Sequence, residues 1–196
     1  MIQPIKQFRV TRLTISGFKG YAYQKTFQFG GMNVISGHMG VGKSSIADAI
    51  AFAITGVGFY AGAKIDYLYH QDTRDLLVEL EFEDESGKVR TLARHRKDDK
   101  MDITLDGVRI GQGDLTTMFG ERDLFLSMFN PQYFINVLGS KGRNLLERYL
   151  PEVPKAEVLA QLSDQTRALL EKQEFLSAEA YSKQLREQVT DIEKDM

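Results

Sequence analysis

The chain contains no cysteine, which excludes disulfide bonds and any metal site or nucleophile built on a thiol. This absence also fits a reducing compartment. No apolar run is long enough to cross a bilayer, because the longest one, residues 46–54, is short and is interrupted by Asp48. The N-terminus lacks the uninterrupted apolar segment of a secretory signal. We therefore expect a soluble, cytoplasmic protein with no membrane partner.

Neither sign of charge dominates, since 25 Lys and Arg residues stand against 27 Asp and Glu residues and the net charge is −2. Such a balance gives no bulk attraction to nucleic acid, so any contact with DNA must come from a local patch. The length of 196 residues allows one good core with an appendage, or two small domains. Pro151 and Pro154 mark the best linker, so we predict domains at residues 1–150 and 151–196.

The most informative stretch lies between residues 32 and 54. An apolar run at residues 32–36 predicts a strand, and apolar residues recur at helical spacing from Ile46 to Ile54. The segment between them matches the phosphate-binding pattern G-x-x-x-x-G-K-[ST]: Gly37, His38, Met39, Gly40, Val41, Gly42, Lys43 and Ser44. Because strand, glycine-rich loop and helix follow in the order that this motif requires, we predict a site for a nucleoside triphosphate.

The residue types of this loop suit phosphate chemistry. Glycines at positions 37, 40 and 42 can adopt a positive φ and let the backbone approach a phosphate. The successive N–H groups of residues 39–45 then form an anion nest at the positive end of the helix. Lys43 is predicted to reach the β- and γ-phosphates, the Ser44 hydroxyl to bind Mg²⁺, and Ser45 to lie near the α-phosphate. The predicted cofactors are ATP and Mg²⁺.

Alternating apolar and polar residues predict strands on both sides of this loop. Two precede it, at residues 8–15 and 25–29. Four follow it and predict an antiparallel meander, at residues 76–82, 89–96, 101–105 and 108–110. The intervening residues 57–75 are dotted with glycine and predict a loop with a short turn of helix.

Helical patterns dominate the remainder of the chain. Asp114 is a predicted N-cap for a helix at residues 115–119, and residues 140–150 predict a further helix. A buried turn is predicted for Leu124, Phe125, Met128 and Phe129. Residues 155–196 contain no proline or glycine and carry many charges of both signs. We predict a long helix at residues 158–196. Leucines seven residues apart at 162, 169 and 176 suggest an imperfect coiled coil.

The N-terminal part of the chain resembles the SMC-like ATPases, a family that includes SMC proteins, SbcC, RecN and RecF. The residues that carry the resemblance are Gly17-Phe18-Lys19, Phe27, Phe29, Gly31-Met32-Asn33, Ile35, the phosphate loop with Ser45, and Asp48-Ala49-Ile50. Met39 departs from the pattern, because the family usually has Asn there. The resemblance implies an α/β fold of the ABC-type P-loop NTPases, namely the N-terminal half of a head with its β-meander, followed by a coiled-coil arm.

The same resemblance suggests roles for two residues outside the loop. Lys19 stands where a basic residue touches the nucleotide near its α-phosphate or base. Gln132 stands where a glutamine senses Mg²⁺ and the attacking water, which would make it a catalytic residue together with Lys43. From the residues alone, the less favoured alternatives are that Lys19 is a solvated turn lysine and Gln132 a surface loop amide.

Hydrolysis in the resembled family needs a Walker B Asp-Glu pair, an S-G-G signature and a switch histidine. No S-G-G occurs here, and Asp84-Glu85 follows an amphipathic strand rather than an apolar one. We therefore expect half of a head, able to bind ATP but hardly to hydrolyse it alone. The resemblance implies a C-terminal lobe as partner, a head-to-head dimer on ATP binding, and DNA with a possible nuclease in a nucleoid-associated assembly.

Two other functions fit a phosphate loop. One is a small P-loop kinase, and the other is a non-catalytic coiled-coil module that nucleotide merely stabilises. A local basic stripe could also contact DNA, although ordinary strand residues paired with Glu79, Glu81 and Glu83 are the simpler interpretation. The stripe consists of Arg90, Arg94, His95, Arg96, Lys97 and Lys100.

Overall fold

Six antiparallel strands form one sheet in the first part of the chain. The structure, a computed structural model, describes residues 2–60, 64–98, 100–139, 141–151, 154–171 and 178–194. The strands are β1 (Phe8–Ser16), β2 (Lys25–Gln28), β3 (Asp75–Asp84), β4 (Val89–Lys97), β5 (Lys100–Leu105) and β6 (Val108–Arg109). Their order in the sheet is β2-β1-β3-β4-β5-β6. The predicted antiparallel meander within a mixed α/β fold is confirmed.

The alternation of side chains explains which face of this sheet is buried. The buried face of β3 carries four residues with no exposed surface: Leu76, Val78, Leu80 and Phe82. In β1 the pairing with β3 shifts by one residue between Val10 and Arg12. This β-bulge adds one residue to β1, so the side chains that face the core change from even-numbered to odd-numbered positions. Leu13 and Ile15 therefore lie on the buried face.

Helix α1 (Lys43–Thr55) covers the buried face of the sheet. It contacts β3 and β4, and Ala49, Phe52 and Ala53 are completely buried. The helix ends at Gly56, whose φ of 79° lets its N–H donate to the Phe52 carbonyl at 2.9 Å. The helix predicted after the phosphate loop is therefore confirmed, and its N-terminus is the end that carries the loop.

Arg94 anchors the C-terminal end of α1 to β4. Its side chain is buried, and its Nε donates to the Ala53 carbonyl at 3.1 Å. Its Nη2 donates to the Ile54 carbonyl at 3.5 Å and to Gln112 Oε1 at 2.6 Å. Burial lowers the pKa of Arg94 to about 10, so the guanidinium is still charged at neutral pH. A cation at this position also complements the negative end of the helix dipole.

The segment before the phosphate loop is not a strand, so the strand predicted at residues 32–36 is wrong. The side chains of Met32 and Val34 are 90% and 86% exposed. Asn33 turns the segment instead, since its side chain bonds the N–H of Gly30 at 2.8 Å and the carbonyl of Gly30 at 3.0 Å. Among the described residues no strand pairs with this segment, and an unpaired strand is unstable in water.

Short helices follow the sheet: α2 (Gln112–Phe119), α3 (Arg122–Phe129), α4 (Pro131–Tyr133), a π-helix (Phe134–Leu138) and α5 (Lys141–Tyr149). Two predictions need correction here. Asp114 lies inside the first turn of α2 and accepts from the Gly111 N–H at 2.8 Å, so it is not the N-cap. Met128 is 77% exposed because it lies on the outer side of α3, whereas Phe125 is buried as predicted.

Contacts divide the chain into two compact units, Met1–Arg148 and Tyr149–Met196. The second unit contains α6 (Lys155–Ala160), α7 (Asp164–Glu171) and α8 (Ala178–Lys194). The single long helix predicted here is wrong, because the chain leaves the helical conformation after Ala160. The Arg167 guanidinium explains the break: it donates to the carbonyls of Leu159 at 2.9 Å, Ala160 at 3.3 Å and Leu162 at 3.2 Å.

The predicted coiled coil depends in part on residues 172–177 and 195–196, which lie outside the described residues. It stays a prediction. No helix within the described ranges is both long and apolar enough to cross a membrane.

Candidate nucleotide-binding site

The N-terminus of α1 has the properties of an anion site. Its N-cap is Gly42, which has a φ of 89° and offers no side chain to cap the first N–H groups. The first turn carries no acidic residue. The amides left without a partner inside the helix therefore point outward at its positive end, where a phosphate can accept from them. Gly40, with a φ of 87°, provides the sharp bend in front of them.

Lys43 folds over the loop that precedes it. Its Nζ donates to the carbonyl of Gly37 at 2.8 Å and to that of His38 at 2.7 Å. These bonds hold the ammonium against the loop whose N–H groups the sequence assigns to phosphate. A nearby ammonium and helix-end amides without an intrahelical partner fit a triphosphate, and no acidic side chain of α1's first turn opposes the anion.

The other loop residues divide into exposed and buried ones. Ser44 is exposed at the start of α1, so its hydroxyl is accessible to a metal ion. Ser45 is buried, and its N–H donates to the Gly42 carbonyl at 3.0 Å. His38, Met39 and Val41 are exposed, with Met39 at 99%. We infer that these three residues contribute backbone amides rather than side chains.

Lys19 lies beside α1 and forms an ion pair with Asp48. The other Asp48 oxygen, Oδ1, accepts from the Phe59 N–H at 2.8 Å. Asp48 lies one helical turn after Ser44, on the same side of α1. Asp48 thus binds two parts of the chain to α1: the turn that contains Lys19 and the segment after α1 that contains Phe59.

Asp48 is expected to stabilise the fold through these two bonds. Replacing Asp48 with alanine removes both acceptors, and we expect the free energy of unfolding to fall by about 2 kcal/mol. The Asp48→Asn variant keeps an oxygen for the Phe59 N–H, so about half of that loss is expected. Urea denaturation measures the free energy of unfolding of both variants. Asp72→Ala is the control, because the Asp72 side chain is 76% exposed. Equal stability of the alanine variant and the unmodified chain would refute this role.

Gln132 lies in α4 and is exposed. Its Oε1 accepts from the Tyr60 hydroxyl at 3.4 Å. The neighbouring Asn130 is buried; its Nδ2 donates to the Phe59 carbonyl at 3.2 Å, and its Oδ1 accepts from the Gln132 N–H at 3.1 Å. The segment after α1 therefore connects Gln132 to Asp48 and to the phosphate-loop helix.

The basic residues of β4 have partners other than the predicted ones. Arg90 Nε lies 3.0 Å from Asp106 Oδ2, and His95 Nε2 lies 2.6 Å from Asp75 Oδ1. The residues that face Glu79, Glu81 and Glu83 across the sheet are neutral: Ala93, Thr91 and Val89. The predicted pairing with those glutamates is therefore wrong, and Arg94 is buried rather than outward-facing.

Sequence reasoning assigned no contact to Asp48 or Asn130. Both carried a signal, since Asp48 interrupts the apolar pattern of a predicted helix and Asn130 precedes a proline. An acid on a buried helix face needs a partner, and an Asn before Pro favours a side-chain bond to the following backbone. The identity of their partners, Lys19 and Phe59, depends on the tertiary fold.

Comparison with protein families gives a match over residues 12–196 to a family described as AAA domain. The Rad50 ATPase of DNA double-strand break repair from Thermoplasma acidophilum is 28% identical over 169 residues, which are 79% of this chain and 19% of that protein. The DNA replication and repair protein RecF of Shewanella denitrificans is 31% identical over 100 residues, 50% of this chain and 27% of that protein. The chain thus spans a minor part of these relatives.

Solved structures show the same fold. RecF with ATP superposes with a TM-score of 0.51 at 20% identity, covering 55% of this chain and 30% of that one. An SMC head bound to the C-terminal winged-helix domain of ScpA superposes with a TM-score of 0.55 at 19% identity, covering 71% of this chain and 54% of that one. At these identities the likeness concerns the fold alone.

Proposed function

The chain belongs to the family of SMC-, RecF- and SbcC-like ATPases and corresponds to the N-terminal region of their heads, and we propose that it binds ATP and Mg²⁺ as one lobe of such a head. The observation that carries the proposal is the uncapped N-terminus of α1 beside the Lys43 ammonium. The names of the relatives, DNA double-strand break repair and DNA replication and repair, favour DNA repair for the complete protein, and the proposal extends to recombination or chromosome maintenance.

The residues of the loop have distinct roles in this proposal. The amides of residues 39–44 bind the phosphate oxygens, and Lys43 moves from the carbonyls of Gly37 and His38 to the β- and γ-phosphates. Ser44 and Gln132 hold Mg²⁺, which supplies positive charge on the phosphate oxygens when bound. Lys19 lies close enough to α1 to serve the α-phosphate or base.

The second part of the proposal is that a C-terminal lobe completes the head. Beside α1 lies an apolar groove of about 330 Å³, whose lining includes Phe29, Ile35, Ile46, Ile50 and Phe129. Together with the exposed residues 32–36, this groove leaves apolar surface next to the phosphate loop that a further lobe can cover. ATP then joins two completed heads, and DNA or a nuclease binds the full assembly.

The proposal is tested by comparing the chain alone with the chain plus the C-terminal lobe of the complete head. We expect the chain alone to bind ATP, and ATP hydrolysis to appear only with the lobe. Phosphate transfer to a small acceptor by the isolated chain would support a kinase instead. Binding without hydrolysis in both samples would support a structural module that nucleotide stabilises.

Gln132 provides a sharper test in the completed head. Replacing Gln132 with alanine is expected to lower kcat at least about tenfold, because a group that positions the metal and the attacking water is lost. The ATP affinity should stay within about twofold, since the amides and Lys43 are intact. Gln71, which is exposed in the turn after His70, is the matched control for a Gln-to-Ala change. Equal turnover of the Gln132 variant and the unmodified head would make Gln132 a surface amide.

A further inference from the structure

The turn that precedes β2 is fixed by backbone hydrogen bonds, both within the turn and to residues 68–70. Phe18 and Tyr21 exchange backbone hydrogen bonds of 3.0 and 2.8 Å across the turn. The Lys19 N–H donates to the Leu68 carbonyl at 2.9 Å, and the His70 N–H donates to the Gly17 carbonyl at 2.8 Å. Both the N–H and the carbonyl of Tyr21 are therefore hydrogen-bonded, so its backbone is fixed independently of its side chain.

The Tyr21 side chain lies on the phosphate loop. Its hydroxyl has one proton to donate, which is shared between the Gly42 carbonyl at 3.3 Å and the Val41 carbonyl at 3.4 Å. Its ring packs edge-to-face on Phe27, with ring centres 5.7 Å apart and an interplanar angle of 83°. A Cβ placed on Gly42 would lie 2.8 Å from the ring, so the aromatic side chain fills the space that this glycine leaves open.

These contacts affect the part of the loop that must bind an anion. The amides of residues 39–44 can face a phosphate only if the carbonyls of the same peptides turn away, because carbonyl oxygens repel phosphate oxygens. A hydroxyl donor at the carbonyls of Val41 and Gly42 stabilises that orientation, and the Ser45 N–H supports it at Gly42. Burial raises the pKa of the Tyr21 hydroxyl, so it keeps the proton that it donates at neutral pH.

We propose that Tyr21 is a positioning residue of the phosphate loop, which holds the carbonyls of Val41 and Gly42 outward so that the loop amides converge on a triphosphate. This inference rests on the proposed nucleotide site and adds a residue that the loop motif does not contain. Tyr21 acts through the loop backbone and needs no contact with the nucleotide. Its ring blocks the loop from moving toward β2, and its hydroxyl fixes the direction of the two peptides.

The test compares three variants of the full chain by calorimetric titration with ATP and Mg²⁺ and by thermal unfolding. Tyr21→Phe keeps the ring and removes the hydroxyl, so we expect an affinity about two- to tenfold lower, as for one lost hydrogen bond. Tyr21→Leu also removes the ring and should weaken binding further. Tyr23→Phe is the matched control, because Tyr23 is 87% exposed, and it should bind like the unmodified chain.

Inorganic triphosphate is the second probe, because it engages the loop without a base or ribose. An equal fold-loss for ATP and for triphosphate in Tyr21→Phe, at an unchanged Tm, supports the proposal. A lower Tm with unchanged affinities would show a purely structural role and would overturn it, as would unchanged affinities at an unchanged Tm. If the unmodified chain binds neither probe, the nucleotide site itself is refuted. If Tyr21→Leu does not fold, Tyr21→Phe decides.

Discussion

Replacing Lys43 with alanine is expected to lower the affinity for ATP at least about 100-fold, which corresponds to about 2.7 kcal/mol. In the proposed site the ammonium moves to the β- and γ-phosphates, and a hydrogen bond between two charged groups is the strongest contact available there. The fold should be unaffected, because water can replace the bonds from Lys43 to the exposed carbonyls of Gly37 and His38. Calorimetric titration with ATP and Mg²⁺ measures the affinity, and thermal unfolding measures the fold.

Lys25 offers a matched control for this substitution. It is exposed at the start of β2 and is not part of the loop, so Lys25→Ala should bind ATP like the unmodified chain. A similar loss in both variants would indicate that net charge, rather than the loop, drives binding. An unchanged affinity in Lys43→Ala would remove the basis for assigning the site.

The largest effect on stability is expected at Arg94. Replacing Arg94 with leucine removes the donor for the carbonyls of Ala53 and Ile54 and for the Gln112 amide oxygen. Because buried acceptors without a donor are costly, we expect the free energy of unfolding to fall by about 3 kcal/mol. The guanidinium also lies over the Phe52 ring, 5.3 Å from its centre, so its loss removes a packing contact as well. Urea denaturation of the full chain measures the change.

Two further variants distinguish the charge of Arg94 from its geometry. Arg94→Lys keeps a cation but cannot reach three acceptors in the same directions, so an intermediate loss is expected. Arg109→Leu is the control, because Arg109 is exposed and its ion pair with Asp102 at 2.9 Å should contribute less than about 1 kcal/mol. A loss at Arg94 no greater than that at Arg109 would contradict the proposed anchor.

The sheet could be predicted from sequence because each strand carries its own pattern. Leu80 and Phe82 are two residues apart on one face, and that spacing does not depend on the remainder of the chain. Residues 32–36 have a similar apolar composition but no neighbouring strand among the described residues, and a strand needs one. The prediction of one long helix failed for a related reason. The spacing of leucines in the sequence does not show the hydrogen bonds from Arg167 that interrupt the helix.

The candidate site likewise contains residues that the sequence identifies and residues that only the fold brings to it. The phosphate loop is contiguous, so Gly42, Lys43 and Ser44 could be identified from their spacing. The residues that contact the loop and its helix come from elsewhere in the chain: Tyr21, from the turn before β2, contacts the loop, and Arg94, from β4, anchors the far end of α1. Sequence patterns indicate that a buried polar residue needs a partner, but only the fold identifies the partner.

The most direct test is the structure of this chain determined with ATP and Mg²⁺. We predict a triphosphate in contact with the amides of residues 39–44, with Lys43 Nζ moved from the carbonyls of Gly37 and His38 onto the phosphate oxygens. If ATP is absent from this loop, or is bound elsewhere on the chain while Lys43 keeps both of its backbone bonds, the proposed site is wrong.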